Sequence, residues 1–191
     1  MELDQNIKLL VFDFDGTLFD LEVDWDRLRQ KLGISGTGQS LGALIQEYRL
    51  QKHPDLTHVT EAELEAVKAQ RLSDEVIEVL RRLHLKYNIS ILTRNSRRVV
   101  EEVLKQTGLE GKIYIVGRED VEKLKPHPEG LAQILGHFKI RAQRAALVGD
   151  TYHDVEVAKN AGAVSIIVRN KKLTYSPDGA DWYIESLSEL K

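Results

Sequence analysis

The sequence predicts an α/β fold, a doubly wound parallel sheet that carries a small all-helical insertion. Two observations point to the sheet: short runs rich in Val, Ile and Leu alternate with longer stretches of helical spacing, and those runs are apolar throughout rather than at every second position. A strand of that kind is buried on both faces, as happens when helices cover both sides of a parallel sheet. A third observation points to the insertion, because about fifty residues after the first apolar run show helical spacing and no strand.

In chain order, Lys8 to Phe12 reads as the first strand. It ends in VFDFDGTL, where Asp13 and Asp15 stand two positions apart, and alternation along a strand sends both carboxylates to one face. Gly16 then allows an immediate turn. From Phe19 to Arg71 the apolar residues fall at helical spacing: Trp25, Leu28 and Leu32; Leu41, Leu44, Ile45 and Tyr48; then Leu64 and Val67. Thr60 to Glu63 reads as a capping box opening one of these helices. The glycine-rich stretch Gly33 to Gly42 lies between two helical patterns and does not follow a strand, so it reads as an inter-helix loop and not as a dinucleotide fingerprint. Asp74 to Leu85 resumes the alternation as a helix, and the strand Ile89 to Leu92 follows. Next come a helix from Arg97 to Thr107 closed by Gly108, the strand Ile113 to Val116, and the helix Glu129 to Phe138. The strand Ala145 to Val148, the helix Asp154 to Ala161 and the strand Val164 to Val168 complete the pattern. Asp181 to Ile184 is expected to add a short strand and Leu187 to Leu190 a last turn of helix. The expected division is a core of residues 1–18 and 75–191, with a helical cap over 19–74.

Composition narrows the function classes. The chain of 191 residues has a formal charge of −3, which gives no basic field for nucleic acid. With no cysteine, disulfides, thiolate metal sites and cysteine nucleophiles are excluded. The start of the chain has acids ahead of a short apolar run and no basic leader, and no stretch is long enough to span a membrane. A cytoplasmic protein, monomeric or homodimeric, is the expectation. Trp25 and Trp182 are expected to serve packing.

Four separated clusters carry the chemistry: Asp13 with Asp15; Thr93 followed by Arg94, Asn95 and Ser96; Lys125 in KPHP; and GDTYHD, which contains Asp150 and Asp154. In a parallel sheet the clusters that follow strands meet at one edge. So many carboxylates gathered there call for a cation, and an oxygen-ligand site made by Asp13, Asp150 and a backbone carbonyl suits Mg²⁺. Lys125 can neutralise phosphate charge, while Thr93 and the backbone N–H groups near Asn95 can cradle phosphoryl oxygens. A carboxylate nucleophile, a second carboxyl and Mg²⁺ suffice for covalent phosphoryl transfer.

On these residues the chain resembles the haloacid dehalogenase superfamily of phosphohydrolases, in the phosphoglycolate phosphatase-like branch with a helical cap after the first strand. The family's DxDGT motif is matched by Asp13 to Thr17, its hydroxyl motif by Thr93, its lysine by Lys125 and its GDxxxD motif by Gly149 to Asp154. The resemblance implies a Rossmann-like core, with Asp13 as nucleophile and Asp15 as general acid and base that also offers its backbone carbonyl to Mg²⁺. It further implies Asp150 as a metal ligand, with Asp154 a ligand through water or a support behind the ligands. Asp154 also suits the cap of the following helix. The substrate implied is a small phosphorylated metabolite. Asp15 favours a phosphatase over a dehalogenase, since a halide leaves without a proton and an alkoxide does not. Arg94 departs from the Asn common in relatives, so it either reaches the far end of the substrate or faces solvent. His153 also departs, and is expected at the pocket mouth. The alternatives are a sugar-phosphate mutase, a phosphonatase with a cap lysine such as Lys31, Lys52 or Lys68, a receiver-like signalling domain, and an inactive interaction protein.

Overall fold

Leu9, Leu10, Val11 and Phe12 are all completely buried, as a strand covered on both faces requires. In the computed structural model, which describes residues 3–32, 45, 56–170 and 176–191, they form β1 (Leu9–Phe12). Alternation divides them between two cores. Leu10 and Phe12 pack with Phe14, Leu80, Ile91 and Val100, whereas Leu9 and Val11 pack with Leu131, Ile134, Leu147 and Val157. Each such side chain contributes about 1.5–3 kcal/mol by leaving water. The doubly wound layering therefore follows from β1 alone.

The other strands are β2 (Asn88–Leu92), β3 (Tyr114–Val116), β4 (Ala145–Gly149), β5 (Val164–Val168) and β6 (Trp182–Ile184). They form a six-stranded sheet in the order β3-β2-β1-β4-β5-β6, with every neighbouring pair parallel. The chain runs outward from β1 to β3 and then returns to the far side of β1 for β4. That reversal opens a crevice at the carboxyl ends of β1 and β4, where open α/β sheets bind ligands. Phe12 lies opposite Val148 in the register, and the Asp13 N–H continues the ladder to the Val148 carbonyl at 2.8 Å. Asp13 and Asp150 are thereby brought side by side.

Between β1 and the helix that precedes β2, the described residues form α1 (Trp25–Lys31) and α2 (Leu56–Ala69) and no strand. The core helices are α3 (Asp74–His84), α4 (Arg97–Leu104), α5 (Glu129–Phe138) and α6 (Tyr152–Ala161). Short 3₁₀ turns cover Ala142–Arg144 and Leu187–Glu189. Helix starts follow the side chains that can accept from exposed N–H groups: Asp24 caps α1 and Ser73 caps α3. α2 packs on α1 and also on α4, so the inserted helices rest on the core.

Several expectations change. Thr60 to Glu63 opens no helix: α2 is already helical from Leu56, and the Thr60 hydroxyl donates to the Leu56 carbonyl at 3.1 Å. α4 stops at Leu104 because the Thr107 hydroxyl donates to the Leu104 carbonyl at 2.6 Å and accepts from the Leu109 N–H. Trp182 does not pack; it is 56% exposed on β6. The expected loop Gly33 to Gly42, the positions Leu41, Leu44 and Tyr48, and Lys52 lie outside the described residues.

Candidate active site

Asp13 leaves the end of β1 buried, with one carboxylate oxygen accepting from the Phe14 N–H at 2.7 Å. The chain then turns tightly: the Leu18 and Phe19 N–H groups donate to the Phe14 carbonyl and the Gly16 N–H to the Phe19 carbonyl. That turn swings Asp15 beside Asp13, and the Leu21 N–H donates to Asp15 Oδ1 at 2.8 Å. The two acids line one cavity, although the strand itself ends at Phe12.

Lys125, from the loop after β3, places Nζ 2.7 Å from Asp13 Oδ1 and 2.7 Å from Asp154 Oδ1. The other Asp154 oxygen accepts from the Thr151 N–H and hydroxyl at 3.1 and 2.8 Å. Asp154 is thus both the cap of α6 and the anchor of Lys125. Asp150 follows β4, and its Oδ2 accepts from Asn170 Nδ2 at 2.7 Å. Asp13, Asp150 and Asp154 each offer a carboxylate oxygen, and these atoms lie within 4.8 Å of one another.

Burial sets the protonation of this group. Burial, then the neighbouring Asp154 charge, pushes the Asp13 carboxyl up to about 8 against the opposing pull of Lys125. Asp15 is pushed to about 6, mainly by burial, with the Leu21 N–H holding it down. Burial also raises Asp150. For Lys125, burial opposes the charge, but Asp13 and Asp154 outweigh it and hold the ammonium above its usual range. Among the described residues the carboxylates outnumber Lys125, the buried cation that touches them, so a hard divalent ion bound by oxygen ligands fits the cluster electrostatically and chemically.

Two glycines make this convergence possible. Gly16 has φ +83°, and a Cβ there would stand 2.3 Å from Asp150 Oδ2; at Gly149 a Cβ would stand 2.3 Å from the Asp154 carboxyl carbon. Gly16→Ala is therefore expected to destabilise the fold by at least about 1–2 kcal/mol through its left-handed backbone and to displace Asp150. Thermal melting and kcat of the variant check this; unchanged values in both would contradict the close approach.

Thr93 is buried at the end of β2. Its Oγ1 accepts from the Asn95 N–H at 3.0 Å and donates to Asn95 Oδ1 at 2.8 Å, which closes a compact loop. Asn95 lines the cavity and Thr93 does not. Arg94 and His153 both line it, and Arg94 is half-buried there. His153 is held below its usual range by burial and by Arg94 and Lys125. The cavity measures about 240 Å³. The inserted segment supplies Trp25, Ile45 and Glu63 to its wall, so Trp25 is more than the packing residue expected.

Sequence reasoning missed Glu63, Thr151, Asn170 and Arg118. Glu63 and Arg118 are buried and joined at 2.7 Å. A signal for Glu63 was present: Val59, Glu63 and Val67 recur every four residues on the buried face of α2, so an acid interrupts an apolar stripe.

The family model for haloacid dehalogenase-like hydrolases matches residues 22–168. The chain is similar to the phosphoglycolate phosphatase of Vibrio parahaemolyticus, at 29% identity over 97% of this chain and 95% of that protein. It is also similar to the pyrophosphatase PpaX of Listeria monocytogenes, at 31% identity over 62% of this chain and 50% of that one. Among solved structures it resembles CbbY from Rhodobacter sphaeroides in complex with phosphate, with TM-score 0.69, 19% identity and 96% of each chain covered.

Proposed function

This chain belongs to the haloacid dehalogenase-like hydrolases, and on that premise we propose that it is a phosphatase hydrolysing a small phosphate monoester through an aspartyl-phosphate on Asp13. The observation that carries this reading is the single cavity shared by Asp13, Asp15 and Lys125. Two carboxyls stand there beside one fixed cation, 2.7 Å from Asp13, and a divalent ion on the acid cluster would favour the ionised form of Asp13 against its burial.

Asp13 attacks phosphorus through a carboxylate oxygen, and the bond from phosphorus to the ester oxygen breaks. Asp15, whose carboxyl sits near 6 and so retains a protonated fraction close to neutrality, gives its proton to the departing alkoxide. As a carboxylate it then takes a proton from water, which attacks phosphorus and releases orthophosphate, restoring Asp13. Lys125 holds Asp13 in place and offsets phosphoryl charge. Asp13, Asp150 and the Asp15 backbone carbonyl would hold Mg²⁺, with Asp154 supporting Lys125. The ion supplies charge neutralisation for the phosphoryl oxygens.

Residues 19–74 act as a cap in this reading, since Trp25, Ile45 and Glu63 wall the cavity. A volume of about 240 Å³ falls below the ~300–1,000 Å³ typical of drug-sized ligand sites. Small esters such as phosphoglycolate are the expected substrates, with Arg94 and His153 facing the group beyond the phosphate. A panel of phosphate monoesters assayed with Mg²⁺ tests this, and a preference for phosphoproteins or nucleic acid would overturn it. Asp15→Asn should slow an alkyl phosphate by about 10²–10⁴-fold and an activated aryl phosphate much less in single-turnover phosphorylation. Equal losses would remove Asp15 as the acid.

A further inference from the structure

Glu63 is 1% exposed and Arg118 2%, yet they come from different parts of the chain, the inserted helix α2 and the loop after β3. Arg118 donates to Glu63 Oε1 at 2.7 Å through one terminal nitrogen and to the Thr60 hydroxyl at 2.6 Å through the other. Both of these acceptors lie on α2. Glu63 also reaches the candidate phosphate loop: its Oε1 accepts from Asn95 Nδ2 at 3.0 Å, and its Oε2 from the Ser96 N–H at 3.5 Å. The Arg118 N–H donates to the Asn95 carbonyl at 3.0 Å, so the arginine grips that loop and α2 together.

From this geometry we propose that Glu63 is a positioning residue that makes docking of α2 a condition for a competent phosphate-binding loop. An ionised carboxylate only accepts hydrogen bonds, so it forces the Asn95 side chain to present Nδ2 toward α2. Asn95 Oδ1 must then face Thr93, whose hydroxyl donates to it while accepting from the Asn95 N–H. A side chain on the inserted segment thereby fixes the orientation of an amide on the cavity wall and, through it, of Thr93. With α2 displaced, Asn95 is free to rotate and the loop loses its fixed donors. A buried ion pair is a weak device for stability, since apolar replacements of similar volume are often as stable. Its value here lies in orientation.

The inference rests on the phosphohydrolase reading and is tested separately from it, with orthophosphate as the probe in calorimetric titrations at saturating Mg²⁺. Wild-type protein should bind orthophosphate in competition with substrate. Failure to do so would overturn the reading itself and this inference with it. Glu63→Gln removes the acceptor-only carboxylate but leaves Arg118 buried against a neutral partner, so loss of folding in that variant would reflect the charge. The double variant E63L/R118M replaces the pair by apolar side chains and is expected to regain wild-type melting temperature and Mg²⁺ affinity. It should still bind orthophosphate about tenfold or more weakly, because the loop is no longer held in its binding geometry. Recovery of both stability and orthophosphate affinity in E63L/R118M would reduce Glu63 to a structural role and overturn the inference.

Discussion

Asp13→Asn is expected to lower kcat by about 10⁴–10⁶-fold, the range reached when a covalent nucleophile is removed, without loss of the fold. Asn keeps the shape of Asp but cannot attack phosphorus as an anion. The stability side of the expectation comes from the site itself. A carboxyl pushed up to about 8 by burial and by Asp154 lies above its unfolded value of 3.8, so its ionised form works against folding throughout the neutral range. The neutral side chain removes that cost. Lys125 retains Asp154 as a partner at 2.7 Å. The variant should therefore melt at or above the wild-type temperature while being inactive. Substantial residual turnover, measured on protein freed of wild-type contamination, would argue for another nucleophile.

Chelation is expected to have an effect of similar size. Asp13, Asp150 and Asp154 converge with Lys125 as their only cationic partner in direct contact among the described residues, and a phosphate dianion would add to the same negative field. Excess chelator should abolish turnover and Mg²⁺ should restore it. Because the ion binds the folded chain, Mg²⁺ should also raise the melting temperature in proportion to its saturation. Asp150→Asn should blunt that rise. Full turnover in excess chelator would rule out the metal-assisted route.

What the sequence disclosed, and what it did not, divides along a physical line. The sheet was legible because its strands are buried on both faces and so apolar throughout; β1, β2, β4 and β5 lie within a residue of the runs that predict them. The meeting of Asp13 and Asp150 was legible because residues placed directly after such runs come to one edge of a parallel sheet, whereas Lys125 follows no strand and was singled out by its motif. Glu63 was not, because Thr60 and Glu63 imitate a helix start, whereas in the structure they face Arg118 from the middle of α2. Arg118 lies in an irregular loop with no periodicity, and the partner that justifies its burial is 55 positions away. Trp182 was misjudged because size suggests burial, while β6 is an edge strand that leaves Trp182 and Tyr183 half exposed. Long-range polar pairing and edge position leave no local pattern, so both had to await the fold.

The most direct test of covalent catalysis at Asp13 is a rapid acid quench during the first turnover, followed by mass spectrometry of the peptide that contains Asp13 and Asp15. One phosphoryl group is expected on Asp13, appearing before steady-state release of orthophosphate and absent from Asp13→Asn. Orthophosphate formed at the full single-turnover rate with no phosphoryl group on that peptide, or with the group on another residue, would contradict it.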